Sequence, residues 1–89
     1  MAKTFRLDII TPERQVFSGD AHSVTLPAWD GELGVLPGHD RLLALIKPGR
    51  AKVIDESGTR FYTFEQGFSE IGPKSVTVFT DACIDLEAS

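Results

Sequence analysis

The chain has one cysteine, one methionine and one tryptophan among 89 residues, and no long hydrophobic run. Each shortage closes a class of function. A lone Cys83 cannot form an internal disulfide, and a chain without such staples fits a reducing compartment. The longest apolar runs, such as Leu42 to Ile46, fall far short of the roughly 20 residues needed to cross a bilayer. Met1-Ala2-Lys3-Thr4-Phe5-Arg6 leads into no long apolar segment, so no secretory signal is expected. Basic residues are scarce as well: 9 Lys and Arg stand against 13 Asp and Glu, giving a net charge of −4. That balance argues against a nucleic-acid partner, which needs clustered cations to neutralise phosphates. It equally disfavours direct attachment to an anionic lipid surface. The expectation is a cytosolic chain, without lipid insertion, that can still dock on a membrane complex.

What is present is alternation. Phe5, Leu7 and Ile9 alternate with Arg6, Asp8 and Ile10 up to the turn Thr11-Pro12-Glu13-Arg14, and period two is the signature of a strand. Val16 and Phe17 precede Ser18-Gly19-Asp20, read as another turn. Val24 and Leu26 alternate up to Pro27. Arg41 to Ile46 is an apolar run closed by Lys47-Pro48-Gly49, and Pro37 and Pro48 confine it. Its uniform apolarity predicts a strand buried on both faces. Ala51 to Ile54, Arg60 to Phe64, Phe68 to Ile71 and Val76 to Thr80 follow, each bounded by Gly, Pro or acidic turns. No window carries the long stripe of an amphipathic helix. Turn signals arrive about every 8 to 12 residues, which predicts an all-β, two-sheet sandwich or flattened barrel of about ten short strands. The length allows one domain, residues 1–89. With 42% hydrophobic residues, the chain has the material for a packed core. Burying one large apolar side chain stabilises by roughly 1.5 to 3 kcal/mol, so about a dozen offset much of the chain entropy. Phe5, Phe17, Phe61, Phe64, Phe68 and Phe79 are expected among them.

Catalytic and metal chemistry needs convergent polar groups, and few are offered. His22 and His39 lie on separate segments without the close spacing of a zinc pair. His39 and Asp40 are neighbours in sequence, and adjacent residues on an extended chain point opposite ways. No serine or cysteine occupies a nucleophile elbow. Asp81 and Asp85 flank Cys83 and disfavour its thiolate, so an unreactive thiol is expected. The acidic stretch Asp81 to Ser89 reads as a fraying end.

The most distinctive segment is Asp30-Gly31-Glu32-Leu33-Gly34-Val35-Leu36-Pro37-Gly38-His39. Glycine and proline allow an unusual backbone path, while four apolar residues make it too hydrophobic for a solvated linker. Its glycines match neither the dinucleotide fingerprint nor a P-loop, so a phosphate cradle is excluded. A shaped, partly apolar loop on a β scaffold suggests an interaction module with no catalytic residues, no metal and no cofactor. A small β-barrel that binds a ligand at a mouth lined by this loop is the alternative.

The order of the blocks then points to a family. Phe5-Arg6-Leu7-Asp8-Ile9-Ile10-Thr11-Pro12-Glu13 followed by Val16-Phe17-Ser18-Gly19 resembles the opening of the epsilon subunit of bacterial F-type ATP synthases. Gly31 to His39 is similar to that family's central signature, and Leu42-Leu43, Lys47-Pro48-Gly49, Gly67-Phe68 and Val76-Thr77-Val78 follow in family order. The resemblance spans Thr4 to about Cys83 and implies two five-stranded sheets. It implies a non-catalytic central-stalk subunit on the cytoplasmic face of the inner membrane, docking the gamma subunit onto the c-ring. Carried over by position, Asp30, Gly31, Glu32 and Leu33 face the c-ring, with the Glu32 carboxylate toward its polar loops. Val35, Leu36, Pro37, Gly38, His39, Arg41 and Leu42 face gamma. One departure is local: Asp40-Arg41 stands where the family usually has Ala-Pro. A second is the two-helix hairpin that follows this domain in many members and is absent from this sequence, so no nucleotide binding is expected of it.

Overall fold

Ten strands account for about two thirds of the described residues, 3–86, in the computed structural model. In chain order they are β1 (Phe5–Ile10), β2 (Gln15–Ala21), β3 (Ser23–Ala28), β4 (Gly31–Val35), β5 (Leu42–Ile46), β6 (Gly49–Asp55), β7 (Gly58–Phe64), β8 (Gly67–Ile71), β9 (Ser75–Thr80) and β10 (Cys83–Asp85). Pairing runs β10-β7-β6-β3-β5-β8-β9-β1-β2, with β4 on the other edge of β3. The continuity is thin at one point. β3 pairs with β6 through Ser23, Val24 and Thr25, but reaches β5 only through Ala28 opposite Ile46. The ladder therefore folds there into two five-stranded layers, β10-β7-β6-β3-β4 and β5-β8-β9-β1-β2, as the family resemblance implied. All pairings are antiparallel except β1 with β9.

Strict alternation places the core between the layers. Val24 and Leu26 on β3, Ala51 and Val53 on β6, and Tyr62 and Phe64 on β7 point inward from the first layer. Phe5, Leu7 and Ile9 on β1, Ile46 on β5, and Val76 and Val78 on β9 meet them from the second. The polar residues caught inside are satisfied. Ser69 Oγ donates to the Thr77 carbonyl at 3.0 Å, and Thr80 Oγ1 to the Glu65 carbonyl at 2.8 Å. Such pairing removes the desolvation cost that an orphaned hydroxyl would carry.

Four expectations are revised. Ser18-Gly19-Asp20 is not a turn but the middle of β2, where Gly19 pairs with Leu7 and Asp20 with Arg6. Its polarity suits an edge strand, whose outer rim meets water. β5 is not buried on both faces: Ala44 and Ile46 point inward, while Leu43 and Leu45 are 63% and 62% exposed. Of the phenylalanines, Phe5 and Phe64 are core and Phe17 is packed against it, whereas Phe61, Phe68 and Phe79 lie on outer faces. The acidic C-terminal stretch is not all frayed, because Cys83, Ile84 and Asp85 pair with Phe64, Thr63 and Tyr62. The last part of that stretch, residues 87–89, lies outside the described residues.

Candidate docking surface

The glycine-rich segment divides between strand and connector. Its first half is β4, paired along its length with β3 through Val24↔Val35 to Ala28↔Gly31. The tight connection Trp29-Asp30 is closed by Gly31 at a φ of +119°, and Gly38 adopts +88° in the connector to β5. Both angles lie in the left-handed region that side chains disfavour, which explains glycine at these two places. Asp30, Gly31 and Glu32 are exposed and Leu33 is half-buried. Glu32 faces outward from the first layer and shares a groove with Arg50, Lys52 and Phe61. The Arg50 guanidinium lies 4.7 Å above the Phe61 ring, a cation–π contact on that same face.

The residues assigned to a gamma partner do not share one environment. Val35 is 1% exposed and belongs to the core, so its side chain is not available to a partner. Alternation along β4 dictates this, because Leu33 and Val35 share the inward face. Leu36, by contrast, is exposed, as are Gly38, Arg41 and Leu42, while Pro37 and His39 are half-buried. The connector is fixed locally: Gly38 N–H donates to the Pro73 carbonyl at 2.9 Å, and His39 N–H to the Leu36 carbonyl at 3.3 Å. The His39 ring donates from Nδ1 to the Asp40 carbonyl at 2.6 Å. Pro73 sits in the β8–β9 turn, so the connector leans on the second layer.

That layer carries the surface that sequence reasoning missed. Leu45 on β5 pairs with Phe68 on β8, Phe68 with Phe79 on β9, and Phe79 with Ile10 on β1. The four side chains form one cross-strand row on the solvent side. Their rings are in contact, Phe68 and Phe79 stacking at 4.9 Å between centroids. Leu43 extends the row toward the connector, Leu42 lines the adjoining groove along β4, and Trp29 flanks the row from the β3–β4 turn. Contiguous apolar groups of this size on an outer face mark an interaction site rather than scattered surface hydrophobes. The available signal is a strand apolar on both faces, whose composition equals that of a strand buried on both sides. At the far end of β1 the surface turns polar: Arg6 pairs with Asp8 at 3.5 Å and donates to Ser18 Oγ, and Gln15 Nε2 donates to Asp8 at 2.8 Å.

Burial acts on two titratable groups among the described residues. Burial, and then the Asp85 charge, push the Cys83 thiol up to about 11. This is the direction the flanking acids suggested, with burial as the larger cause. Tyr62 is raised as well, chiefly by burial. His22 donates from Nδ1 to the Lys3 carbonyl at 3.2 Å.

Comparison with known proteins places the chain in a family. The family model described as ATP synthase, Delta/Epsilon chain, beta-sandwich domain matches residues 4–85. The chain is 43% identical over 86 residues to the ATP synthase epsilon chain of Janthinobacterium sp. (strain Marseille), and 41% identical over 86 residues to that of Herminiimonas arsenicoxydans. Each alignment covers 94% of this chain and 61% of the relative, so the chain spans about three-fifths of the length of these curated relatives. Its fold is similar to that of a chain in the cryo-EM structure of the Euglena gracilis mitochondrial ATP synthase, OSCP/F1/c-ring, with a TM-score of 0.90 at 23% identity, covering 100% of this chain and 57% of that one. A chain in the central stalk/c-ring structure of the Tetrahymena thermophila mitochondrial ATP synthase gives a TM-score of 0.76 at 14% identity, covering 98% of this chain and 69% of that one. The family match over nearly every described residue, joined to relatives above two-fifths identity, shows that the chain belongs to the ATP synthase delta/epsilon chain beta-sandwich family.

Proposed function

We propose that this domain is a non-catalytic part of the central stalk of an F-type ATP synthase, fastening the gamma subunit to the c-ring. Two surfaces divide the work. The outer row of the second layer, with Leu36, Leu42 and Leu43 beside it, meets gamma. The β3–β4 turn, Asp30 to Leu33, meets the polar loops of the ring, with Glu32 opposite a basic group. Rotation driven at the ring is thereby carried to the catalytic head, and the domain works on the cytoplasmic face of the membrane. The observation that carries this reading is the apolar row Leu45–Phe68–Phe79–Ile10, held in register across four strands and left facing solvent.

The rival reading, a ligand barrel with the glycine segment at its mouth, has less support. The space between the layers is filled by side chains that are almost wholly buried, and β4 is part of a wall. The test is co-purification with the gamma subunit. The wild-type chain is expected to form a stoichiometric complex that Leu45→Glu disrupts. Ile84→Glu, at an equally exposed position on the opposite layer, is expected to leave the complex intact. For the ring contact, Glu32→Lys is expected to lower membrane-coupled ATP synthesis while the gamma complex persists.

A further inference from the structure

Trp29 is the only tryptophan of the chain and is 60% exposed. Its position is nevertheless fixed. It follows Ala28, the one β3 residue that reaches β5, and its own backbone N–H donates to the Leu45 carbonyl at 3.2 Å. The indole thus stands at the seam where the two layers join. It forms a wall of two open grooves. One, of about 360 Å³, runs along β4 past Glu32 and Leu33 to Leu42. The other, of about 580 Å³, lies on the outer face between Trp29, Leu45 and Phe68 and ends at Gln66 and Asp81. The second groove is apolar along its floor and acidic at its borders. Gln66 Nε2 reaches Asp81 at 3.4 Å, and Glu70 stands opposite Leu43 in the β5–β8 register. Neither Asp81 nor Glu70 takes part in an ion pair among the described residues.

An exposed indole on a rigid backbone, beside leucines and a phenylalanine, is the arrangement in which truncation costs an interface most. A carboxylate at the end of an apolar groove selects for a cation in the segment that fills it. We infer that Trp29 is the specificity anchor for the gamma partner. The groove it forms with Leu45 and Phe68 takes an aliphatic or aromatic side chain of gamma, with a Lys or Arg of the same segment placed against Asp81. This rests on the docking reading above and adds the chemistry of the segment that is gripped. Ordering the indole is inexpensive because it has few rotatable bonds, so its burial contributes affinity with little entropic loss.

The experiment uses the chain labelled with fluorotryptophan, which places one fluorine reporter at Trp29, titrated with purified gamma subunit. The inference predicts that the resonance moves and loses its solvent-isotope shift in heavy water as the complex forms. Trp29→Ala is expected to weaken binding by about thirtyfold, the range for loss of a buried aromatic anchor. Trp29→Phe is expected to recover most of that loss, and Asp81→Lys to weaken binding and flatten its dependence on salt. All three variants should melt with the wild type, since the altered side chains are exposed. A full-strength complex in which the Trp29 resonance stays solvent-exposed and Trp29→Ala binds normally overturns the inference and leaves the docking reading standing. Failure of the wild-type chain to bind gamma overturns both.

Discussion

Phe68 and Phe79 stack on the solvent side of the second layer, with ring centroids 4.9 Å apart and planes inclined by 26°. Neither ring contributes to the core between the sheets, so the pair is held in place mainly by itself and by Leu45 and Ile10 in the same row. Offset stacking adds about 0.5 to 1.5 kcal/mol beyond area burial. Phe68→Ala is accordingly expected to lower stability by about 1 kcal/mol in a urea melt. The same substitution should remove most gamma binding in a pull-down, separating the residue's two roles.

Adjacent residues in the glycine segment should respond in opposite ways. Val35 is core and Leu36 is exposed. An aspartate at 35 would place an unpaired charge between the layers, at a cost above about 3 kcal/mol. Val35→Asp is expected to leave the domain largely unfolded by circular dichroism. Leu36→Asp should melt close to the wild type and show its effect only in binding.

Gly67 is required by close approach rather than by dihedral freedom. A Cβ there would stand 1.9 Å from the Phe79 carbonyl oxygen and 2.8 Å from the Thr80 Cα, both backbone atoms that cannot move aside cheaply. Gly67→Ala is expected to destabilise by about 3 kcal/mol or more, since it must push β8 from β9. The measurement is the shift in denaturant midpoint, with Gly34→Ala, where nothing lies within 4 Å, as the comparison.

Stability should fall in alkali. The folded state holds the Cys83 proton up to about 11, against an ordinary value of 9.0. Between those values the folded chain binds more protons than the unfolded one, so the free energy of unfolding declines as pH rises. Stability is expected to be flat with respect to this group below pH 9 and to drop through pH 11, with Tyr62 adding in the same sense. Cys83→Ala should flatten part of that decline in urea melts taken across the range. Alkylation of the native thiol by iodoacetamide near neutral pH should be slow compared with the unfolded chain.

The sandwich was legible because turn residues recur at strand-length intervals and because Phe5 to Ile9, Ser23 to Leu26 and Ser75 to Val78 alternate between apolar and polar. The docking face was not, for a physical reason visible in Leu42 to Ile46. A strand covered on both sides by its own domain and a strand covered on one side by a partner have the same composition. Only the pairing of β5 with β8, and the absence among the described residues of a third layer over it, tells Leu43 and Leu45 from Ala44 and Ile46. Val35 and Leu36 illustrate the same limit, since their assignment depends on the register of β4 against β3. Ser18-Gly19-Asp20 misled because polar edge strands and turns draw on the same residues. Trp29 escaped notice because one tryptophan next to a glycine turn carries no periodic signal, and its role comes from the seam at Ala28 and Ile46. Glu32 is exposed, and its assignment to the ring is a proposal drawn from its position in the family signature.

The claim that one layer of this sandwich is built to be covered is tested most directly by hydroxyl-radical footprinting of the domain, alone and bound to the gamma subunit. Leu43, Leu45 and Phe68 are expected to lose reactivity on binding, while Phe61 and Ile84 on the opposite layer keep theirs. Protection of Phe61 and Ile84 with Leu45 and Phe68 still reactive would contradict the account.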